Sequence, residues 1–157
     1  MKVCAVEPEI DTDALLAGAQ FSDAYRIALD DNALDARQAA ERMLGRSPRW
    51  INVLLALRNC LMAPFGLKTG APNEAGAFDS IGIFPVVSQT PNRLVAGFND
   101  HHLDFRVVVD VASSGHSQNV TATTLVLTHN LFGRVYLTTI LPFHRLVVRT
   151  MLRQVAQ

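Results

Sequence analysis

The spacing of apolar residues divides the chain into a first part with helical patterns and a second part with strand patterns. Residues 22–29 alternate in polarity, which is typical of a half-buried strand, and two helical patterns follow it. From residue 81 the alternation returns in five short stretches separated by turn-forming residues, as in successive hairpins. The predicted strands are 22–29, 81–88, 93–99, 103–111, 119–129 and 134–141.

Local end signals define the helices that precede these hairpins. Residues 35–38 have the spacing of a capping box at the start of a helix over 36–44. A second helix is predicted over 48–62, where proline in the first turn is followed by a long apolar run. A short helix is also expected at 13–19, and the glycine-rich residues 66–80 predict a loop.

Pro142 is predicted to open the last helix, because proline is well tolerated in a first helical turn. Phe143, Val147 and Met151 then recur on one side of this helix, together with Leu146. Arginine recurs every fourth residue on another side, at 145, 149 and 153. The pattern predicts an amphipathic helix whose apolar side packs on the sheet and whose arginine side faces water.

Taken in order, the elements predict an α+β fold. It consists of a curved antiparallel sheet of about six strands, two short helices after the first strand and a long C-terminal helix across the sheet. The chain is expected to form a single domain over 1–157, with a partly irregular segment at 1–20. A helix laid across a curved sheet leaves a concave apolar space, in which small ligands usually bind.

Composition agrees with a single water-soluble domain. Of the 157 residues, 49% are hydrophobic and 18% charged, which is enough apolar material for a sizeable core. No apolar run approaches the roughly 18 residues of a membrane span, and acidic residues stand where a signal peptide would need apolar ones. Cys4 and Cys60 are expected to be reduced thiols, so the predicted location is cytoplasmic.

Charge cancels over the whole chain but not along it. The first 45 residues hold nine acidic and four basic side chains, and the bases of the remainder are scattered. We therefore expect no nucleic-acid track, no anionic membrane patch and no membrane insertion.

Apolar pairs such as Val86–Val87 and Val126–Leu127 place apolar groups on both faces of the sheet. This excess predicts a homodimer formed by packing of the sheets.

Several short strings carry a family resemblance. They are Pro48-x-Trp50, Leu57-Arg58-Asn59, Gly66-Leu67-Lys68, His102-Leu103-Asp104-Phe105-Arg106, Gly133-Arg134-Val135-Tyr136 and Pro142-Phe143-His144-Arg145. The set resembles the DUF2867 family of uncharacterised bacterial proteins from about residue 20 to the C terminus. The element order resembles the helix-grip fold of the START and Bet v 1-like superfamily.

The resemblance implies a helix-grip domain over 21–157 with a pocket for a small apolar or amphipathic molecule. Members of the superfamily bind lipids, sterols, polyketides or plant hormones, and some catalyse cyclisation or hydrolysis. Related domains also occur fused to NAD-binding proteins. This sequence has no glycine-rich dinucleotide fingerprint, so no cofactor is expected here and an NAD-binding part would be a separate chain.

Arg58 is the most informative polar residue of the predicted second helix. A projection at about 100° per residue places it inside the apolar stripe that includes Leu54 and Ile51. A buried guanidinium stays charged and therefore needs a partner. That partner is either an internal carboxylate, such as Asp100 or Asp104, or the carboxylate or phosphate of a ligand, unless the side chain extends to the surface.

Residues 101–106 hold the densest polar cluster. On a strand, Asp104 and Arg106 share one face and are expected to pair with each other in water. His101 and His102 point to opposite faces, and no third ligand stands at a diagnostic spacing. No metal site is therefore expected.

Two of the open hypotheses are a binding module and an interaction protein whose cavity is simply filled. In the binding module, Trp50, Phe105 and Phe143 are candidate walls and Arg58 is a candidate anionic anchor. The full set of candidate ligand-binding residues is Arg58, Trp50, Asp100, Asp104, Phe105, Tyr136, Phe143 and His144.

The third hypothesis is an enzyme on the same scaffold that acts on a bound carbonyl or aromatic compound. His144, Tyr136 or Asp104 would then supply acid–base chemistry. A histidine needs a carboxylate or hydroxyl within hydrogen-bond reach for that role, and otherwise serves as a structural residue. The sequence contains no nucleophile elbow, phosphate loop or zinc helix motif that would decide for catalysis.

Overall fold

The computed structural model describes residues 2–30, 34–46, 48–53, 56, 80–81, 84–99 and 102–157. The strands are β1 (Val3–Val6), β2 (Phe21–Asp30), β3 (Ser80–Ile81), β4 (Phe84–Gln89), β5 (Arg93–Asn99), β6 (Leu103–Ser114) and β7 (Ser117–Thr128). The helices are α1 (Thr12–Leu15), α2 (Ala36–Leu44) and α3 (Leu131–Arg153), which continues into a 3-10 turn at Gln154–Ala156. Residues 49–53 are helical as well.

The strands form one antiparallel sheet in the order β1-β2-β7-β6-β5-β4-β3. Its longest hairpin joins β6 to β7 and turns at Gly115, whose φ of +61° lies in the left-handed region that favours glycine. β2 pairs with β7 along its whole length, so Phe21 lies opposite Val126 and Asp30 opposite Ser117. The α+β class, the large antiparallel sheet and the long C-terminal helix are therefore confirmed.

One face of the sheet, which we call the inner face, carries the helices and the core. Its central side chains, among them Ile27, Val109 and Val120, are fully buried. α2 packs on this face through small residues such as Ala39 and Ala40, which let its backbone come close to the strands. The end of α3 covers the same core through buried apolar side chains at 148, 151 and 152.

The opposite face, the outer face, is covered in part by the segment that joins β1 to β2. Leu16 of this segment is buried, and Gly18 lies beside the Leu127 side chain. The Gln20 amide N–H donates to the Val126 carbonyl over 2.9 Å. The segment thus accounts for some of the apolar groups on both faces, while the homodimer inferred from them stays a prediction.

The prediction of a strand over 134–141 is wrong, because these residues belong to α3. The helix begins after Asn130, whose side-chain oxygen accepts the Gly133 amide over 2.9 Å, and passes through Pro142 without ending. Pro142 removes the bond that its N–H would have donated to the Thr138 carbonyl. Pro142 therefore lies in the middle of the helix and not at its first turn.

Other predictions from the sequence are confirmed, are changed in part or lie outside the described residues. The helix over 36–44 is confirmed with both bonds of its capping box, and the strand over 93–99 is confirmed at both ends. The expected strand over 81–88 becomes β3 and β4, and the irregular segment 1–20 contains the unexpected edge strand β1. Beyond residues 49–53, the predicted second helix lies largely outside the described residues, as does the predicted loop up to residue 79.

Candidate functional site

A row of aromatic side chains crosses one end of the inner face. Strand pairing places Phe21 opposite Val126, Val126 opposite Phe105, and Phe105 opposite Phe98. The ring of Phe105 lies 5.8 Å from that of Phe98 and 5.5 Å from that of Phe84. We call Phe21, Phe84, Phe98 and Phe105 the aromatic row. All four are only half-buried, in contrast to the fully buried centre of the same face.

The middle of α3 is covered incompletely in the same way. Six side chains on one side of this part of the helix are half-buried. Apolar side chains of the last two turns, such as Leu152, are buried. We call this set the inward stripe, and it consists of Tyr136, Leu137, Ile140, Leu141, His144 and Val147. The side chains of α3 are therefore more fully buried near its C-terminal end than along its middle.

Asp23 and His144 join the sheet to the inward stripe. The His144 Nε2 atom lies 3.3 Å from Oδ1 and 3.2 Å from Oδ2 of Asp23. The geometry between Nε2 and Oδ1 is that of a hydrogen bond. The geometry at the buried Oδ2 is not, so Oδ2 accepts no hydrogen bond from a described residue. The imidazole also meets Phe21 edge to face, with 5.9 Å between the rings. Only 19% of the Asp23 side chain and 15% of the His144 side chain are exposed.

Tyr25 follows Asp23 on the same face of β2 and lies under α3. Burial raises the pKa of the Tyr25 phenol, because the phenolate would lose its hydration, and the negative charge of Asp23 raises it further. Arg145 and Arg149 of α3 act in the opposite direction on this pKa. The carboxylate, imidazole and phenol thus form one polar group inside an otherwise apolar surface.

The raised pKa of Tyr25 predicts an alkaline loss of stability. The folded protein holds the phenolic proton more tightly than the unfolded chain, so this group stabilises the fold fully below about pH 10, the unfolded value. That contribution is lost as the pH rises through the folded pKa. Tyr25→Phe is expected to flatten the fall in the free energy of unfolding above about pH 10, measured by urea titration. An unchanged alkaline slope in the variant would contradict this assignment.

Comparisons with known proteins identify a family. The family model described as a protein of unknown function, DUF2867, matches residues 15–151. The chain belongs to the DUF2867 family. No curated protein matches it. Among solved structures, the crystal structure of a conserved protein from Geobacillus kaustophilus shares 13% sequence identity, with a TM-score of 0.43. That similarity covers 87% of this DUF2867 chain and 93% of the other chain.

Three of the sequence-predicted site residues of this DUF2867 protein belong to the two sets defined above. Phe105 belongs to the aromatic row, and Tyr136 and His144 belong to the inward stripe. His144 stands in the middle of α3, not in the first turn of a shorter helix. Arg58 and Asp100, with their proposed pairing, lie outside the described residues.

The remaining predicted residues are placed away from this group. Phe143 and Leu146 were expected on the packed side of the last helix but are 55% and 54% exposed, and Trp50 is 39% exposed. Asp104 lies on the outer face, where it is 2.9 Å from His129 Nε2. The expected pair between Asp104 and Arg106 is wrong, because Arg106 donates instead to the carbonyl oxygens of residues 98 and 105.

Sequence reasoning missed Asp23, although a signal was present. Within 22–29, Asp23 shares its strand face with the apolar residues Tyr25, Ile27 and Leu29. A carboxylate at an inward position of an amphipathic strand must find a partner or a ligand. The partner, His144, is 121 residues away along the chain, so only the fold reveals the pair.

A depression of about 690 Å³ lies on the outer face, on the other side of the sheet from Asp23 and His144. Its charged side chains already pair with one another. Arg93 donates to both carboxylate oxygens of Asp110, over 2.6 and 3.1 Å, and Arg26 reaches Glu9 over 3.4 Å. Because the groups that could hold a ligand are satisfied internally, we place the candidate site of the DUF2867 domain on the inner face.

The inner-face arrangement combines three kinds of chemistry. The aromatic row offers an apolar surface, the buried Asp23 Oδ2 can accept a hydrogen bond, and the Asp23 carboxylate orients the His144 ring.

Among the described residues, no three histidine, cysteine or carboxylate side chains gather where they could hold a metal ion. None of the helices in that part of the chain has the length and hydropathy needed to cross a bilayer.

Proposed function

We propose that this DUF2867 domain binds a small amphipathic molecule between the aromatic row and the inward stripe. The observation that carries the proposal is the half-buried Asp23–His144 pair, set beside the Phe21 ring under the middle of α3. A polar pair of this kind would give orientation, and the phenylalanine rings would give affinity. Binding sites for small molecules typically combine a mainly apolar lining with a few such polar groups.

The topology supports a helix-grip arrangement for this site. β2 lies beside the last strand β7, helices stand between β2 and β3, and α3 returns across β1, β2 and β7 on the inner face. In such an arrangement the ligand space lies between sheet and terminal helix. Fold alone does not specify chemistry, so the ligand class rests on the side chains and not on the topology.

The polar end of the site indicates which functional group the ligand carries. Asp23 Oδ2 is buried 3.2 Å from His144 Nε2 but accepts no well-aligned hydrogen bond from a described residue, so it keeps capacity for a donor. A ligand with a hydroxyl or N–H group at one end would satisfy this oxygen while its apolar part contacts Phe105 and Phe98. Fatty acids bound only by their carboxylate would instead place like charges together.

N-phenyl-1-naphthylamine tests the site, because it is an uncharged fluorescent probe with two aromatic parts and one N–H donor. We expect saturable binding, with Phe105→Leu weakening it about tenfold through loss of aromatic contacts. Asp23→Leu is expected to weaken it as well, because the N–H donor loses its acceptor. Phe143→Leu is the matched control. It makes the same substitution at a phenylalanine that is exposed on α3, outside the inward stripe. Binding that ignores Phe105→Leu but responds to Phe143→Leu would refute this location.

A second candidate function is acid–base catalysis at the same site. The specific observation that favours it is the carboxylate–imidazole pair, because Asp23 can orient the His144 ring. Native mass spectrometry of the purified protein separates the two functions. A co-purified molecule that stays unchanged during incubation supports binding, whereas conversion that stops in His144→Gln supports catalysis.

A further inference from the structure

The solvent side of α3 is unusual for a helix that already packs on a sheet. Four large apolar side chains project from it, and each is more than half exposed. They are Leu131, Val135, Phe143 and Leu146. Four arginines are exposed on the same helix, at 134, 145, 149 and 153. We call these eight side chains the outward face of α3.

The eight side chains share one side of the helix. When α3 is projected at about 100° per residue, they fall within roughly 180° of arc, opposite the inward stripe. The apolar members lie in the first two thirds of the helix, and three of the four arginines lie in its second half. At 1.5 Å per residue, the 23 residues make a surface about 34 Å long.

The outward face carries only positive charge. α3 contains no aspartate or glutamate, and none of its four arginines forms an ion pair with a described residue. Arg145, Arg149 and Arg153 stand one turn apart, where like charges destabilise a helix. An anionic partner would remove this repulsion.

The scattered bases of the sequence predict no anionic membrane patch, but α3 gathers four arginines and four apolar side chains on one side. Against that sequence prediction, we propose that the outward face of α3 docks the protein on an anionic lipid bilayer. Exposed apolar side chains interleaved with arginines fit the boundary between headgroups and acyl chains, where the arginines contact phosphate and the apolar side chains enter the interface. A second copy of this chain fits poorly, because pairing two outward faces would bring eight arginines together without an acidic residue. The proposal uses neither Asp23 nor His144 and so does not depend on the proposed function, although Arg145 and Arg149 also act on the Tyr25 phenol.

Vesicle sedimentation tests the docking. We expect the full chain to bind vesicles of equal parts phosphatidylglycerol and phosphatidylcholine, and not vesicles of phosphatidylcholine alone. Binding should fall steeply at about 1 M salt, where the Debye length is about 3 Å. Arg149→Gln with Arg153→Gln should weaken it about 25-fold, roughly fivefold for each arginine near the surface. Leu131→Asn with Val135→Asn should weaken it at least about tenfold through lost apolar contact.

The control removes the same amount of charge elsewhere. Arg37→Gln with Arg46→Gln alters arginines in α2 and just after it, and this variant should bind vesicles nearly as the unaltered chain does. Equal binding to both vesicle types, no binding, or an equal loss in the control pair would overturn the proposal. A dimer that Leu131→Asn with Val135→Asn dissociates, with no effect on vesicles, would assign the face to a protein partner instead.

Discussion

Gly133→Ala is expected to lower the free energy of unfolding by about 3 kcal/mol, although alanine is the better helix former by about 1 kcal/mol. Gly133 lies in the first turn of α3, where the helix crosses the start of β6. A β-carbon at this position would collide with the carbonyl oxygen of His102. Because that oxygen belongs to the backbone just before β6 and accepts the His129 amide over 2.9 Å, it cannot swing aside as a flexible side chain would. The first turn of α3 would have to move away from the sheet.

Gly115→Ala is the matched control for this effect. Gly115 has a φ of +61° but open space around its missing β-carbon, so alanine there meets backbone strain without a collision. We expect a loss of about 1 kcal/mol, the usual penalty of the left-handed conformation. Urea unfolding monitored by circular dichroism gives both values. Equal losses at the two positions would show that close approach of α3 to β6 does not stabilise the fold.

The glycine contact also explains the shape of the candidate site. α3 is held to the sheet at two places, by Gly133 against His102 near its start and by buried side chains such as Leu152 near its end. Between them the helix crosses β2 and β7 with its inward stripe half-buried. A helix fixed at both ends can keep a partly covered middle without collapsing onto the sheet. The partial burial of the inward stripe is therefore consistent with where the helix is anchored.

Elements with strong local signals could be predicted closely from the sequence. The helix over 36–44 was bounded by its capping box and by Gly45, and these contacts involve residues at most four positions apart. The strand over 93–99 follows a tight turn in which the Arg93 amide donates to the Thr90 hydroxyl over 3.0 Å. In both cases the hydrogen bonds at the ends of the element join residues that are close in sequence. A local sequence pattern is therefore enough to predict where the element begins or ends.

The error at 134–141 has a different physical origin. Val135, Tyr136 and Ile140 favour strands by their intrinsic propensity, and Pro142 favours the start of a helix over its interior. Tertiary packing overrides both preferences. The Asn130 cap starts the helix earlier, and the Thr138 and Thr139 hydroxyls donate to the carbonyls one turn before them. Packing of the inward stripe on the sheet then stabilises the helical conformation of residues 134–141, which their intrinsic propensity disfavours.

The candidate site could be predicted only in part for a similar reason. His144 and Phe105 were identified from the sequence, because each stands out by residue type or strand face. Asp23 was not, because its role depends on β2 lying beside β7 and on α3 crossing both strands. Strand order and helix crossing are properties of the assembled fold. A search of amphipathic strands for an inward carboxylate would have found Asp23, but not its partner.

Leu152→Ala is expected to lower the free energy of unfolding by about 3 kcal/mol, because it removes a fully buried side chain and leaves a cavity. Leu152 lies in the last turn of α3, against the core formed with α2, where the Arg42 side chain also donates to the Val155 carbonyl over 3.2 Å. The loss should appear as a lower urea midpoint with little change in slope. Binding of N-phenyl-1-naphthylamine should weaken too, since the C-terminal anchor of α3 helps to hold the inward stripe in place.

Leu146→Ala separates burial from helix propensity in this prediction. The substitution is chemically identical and lies in the same helix, but the Leu146 side chain is exposed, so its loss should stay within about 0.5 kcal/mol. The two variants should also differ on membranes, because Leu146 belongs to the outward face and Leu152 does not. Leu146→Ala should weaken vesicle binding while stability is kept. If the two leucines proved equally important for stability, α3 would pack on the sheet by a different side, and both the inward stripe and the outward face would have to be reassigned.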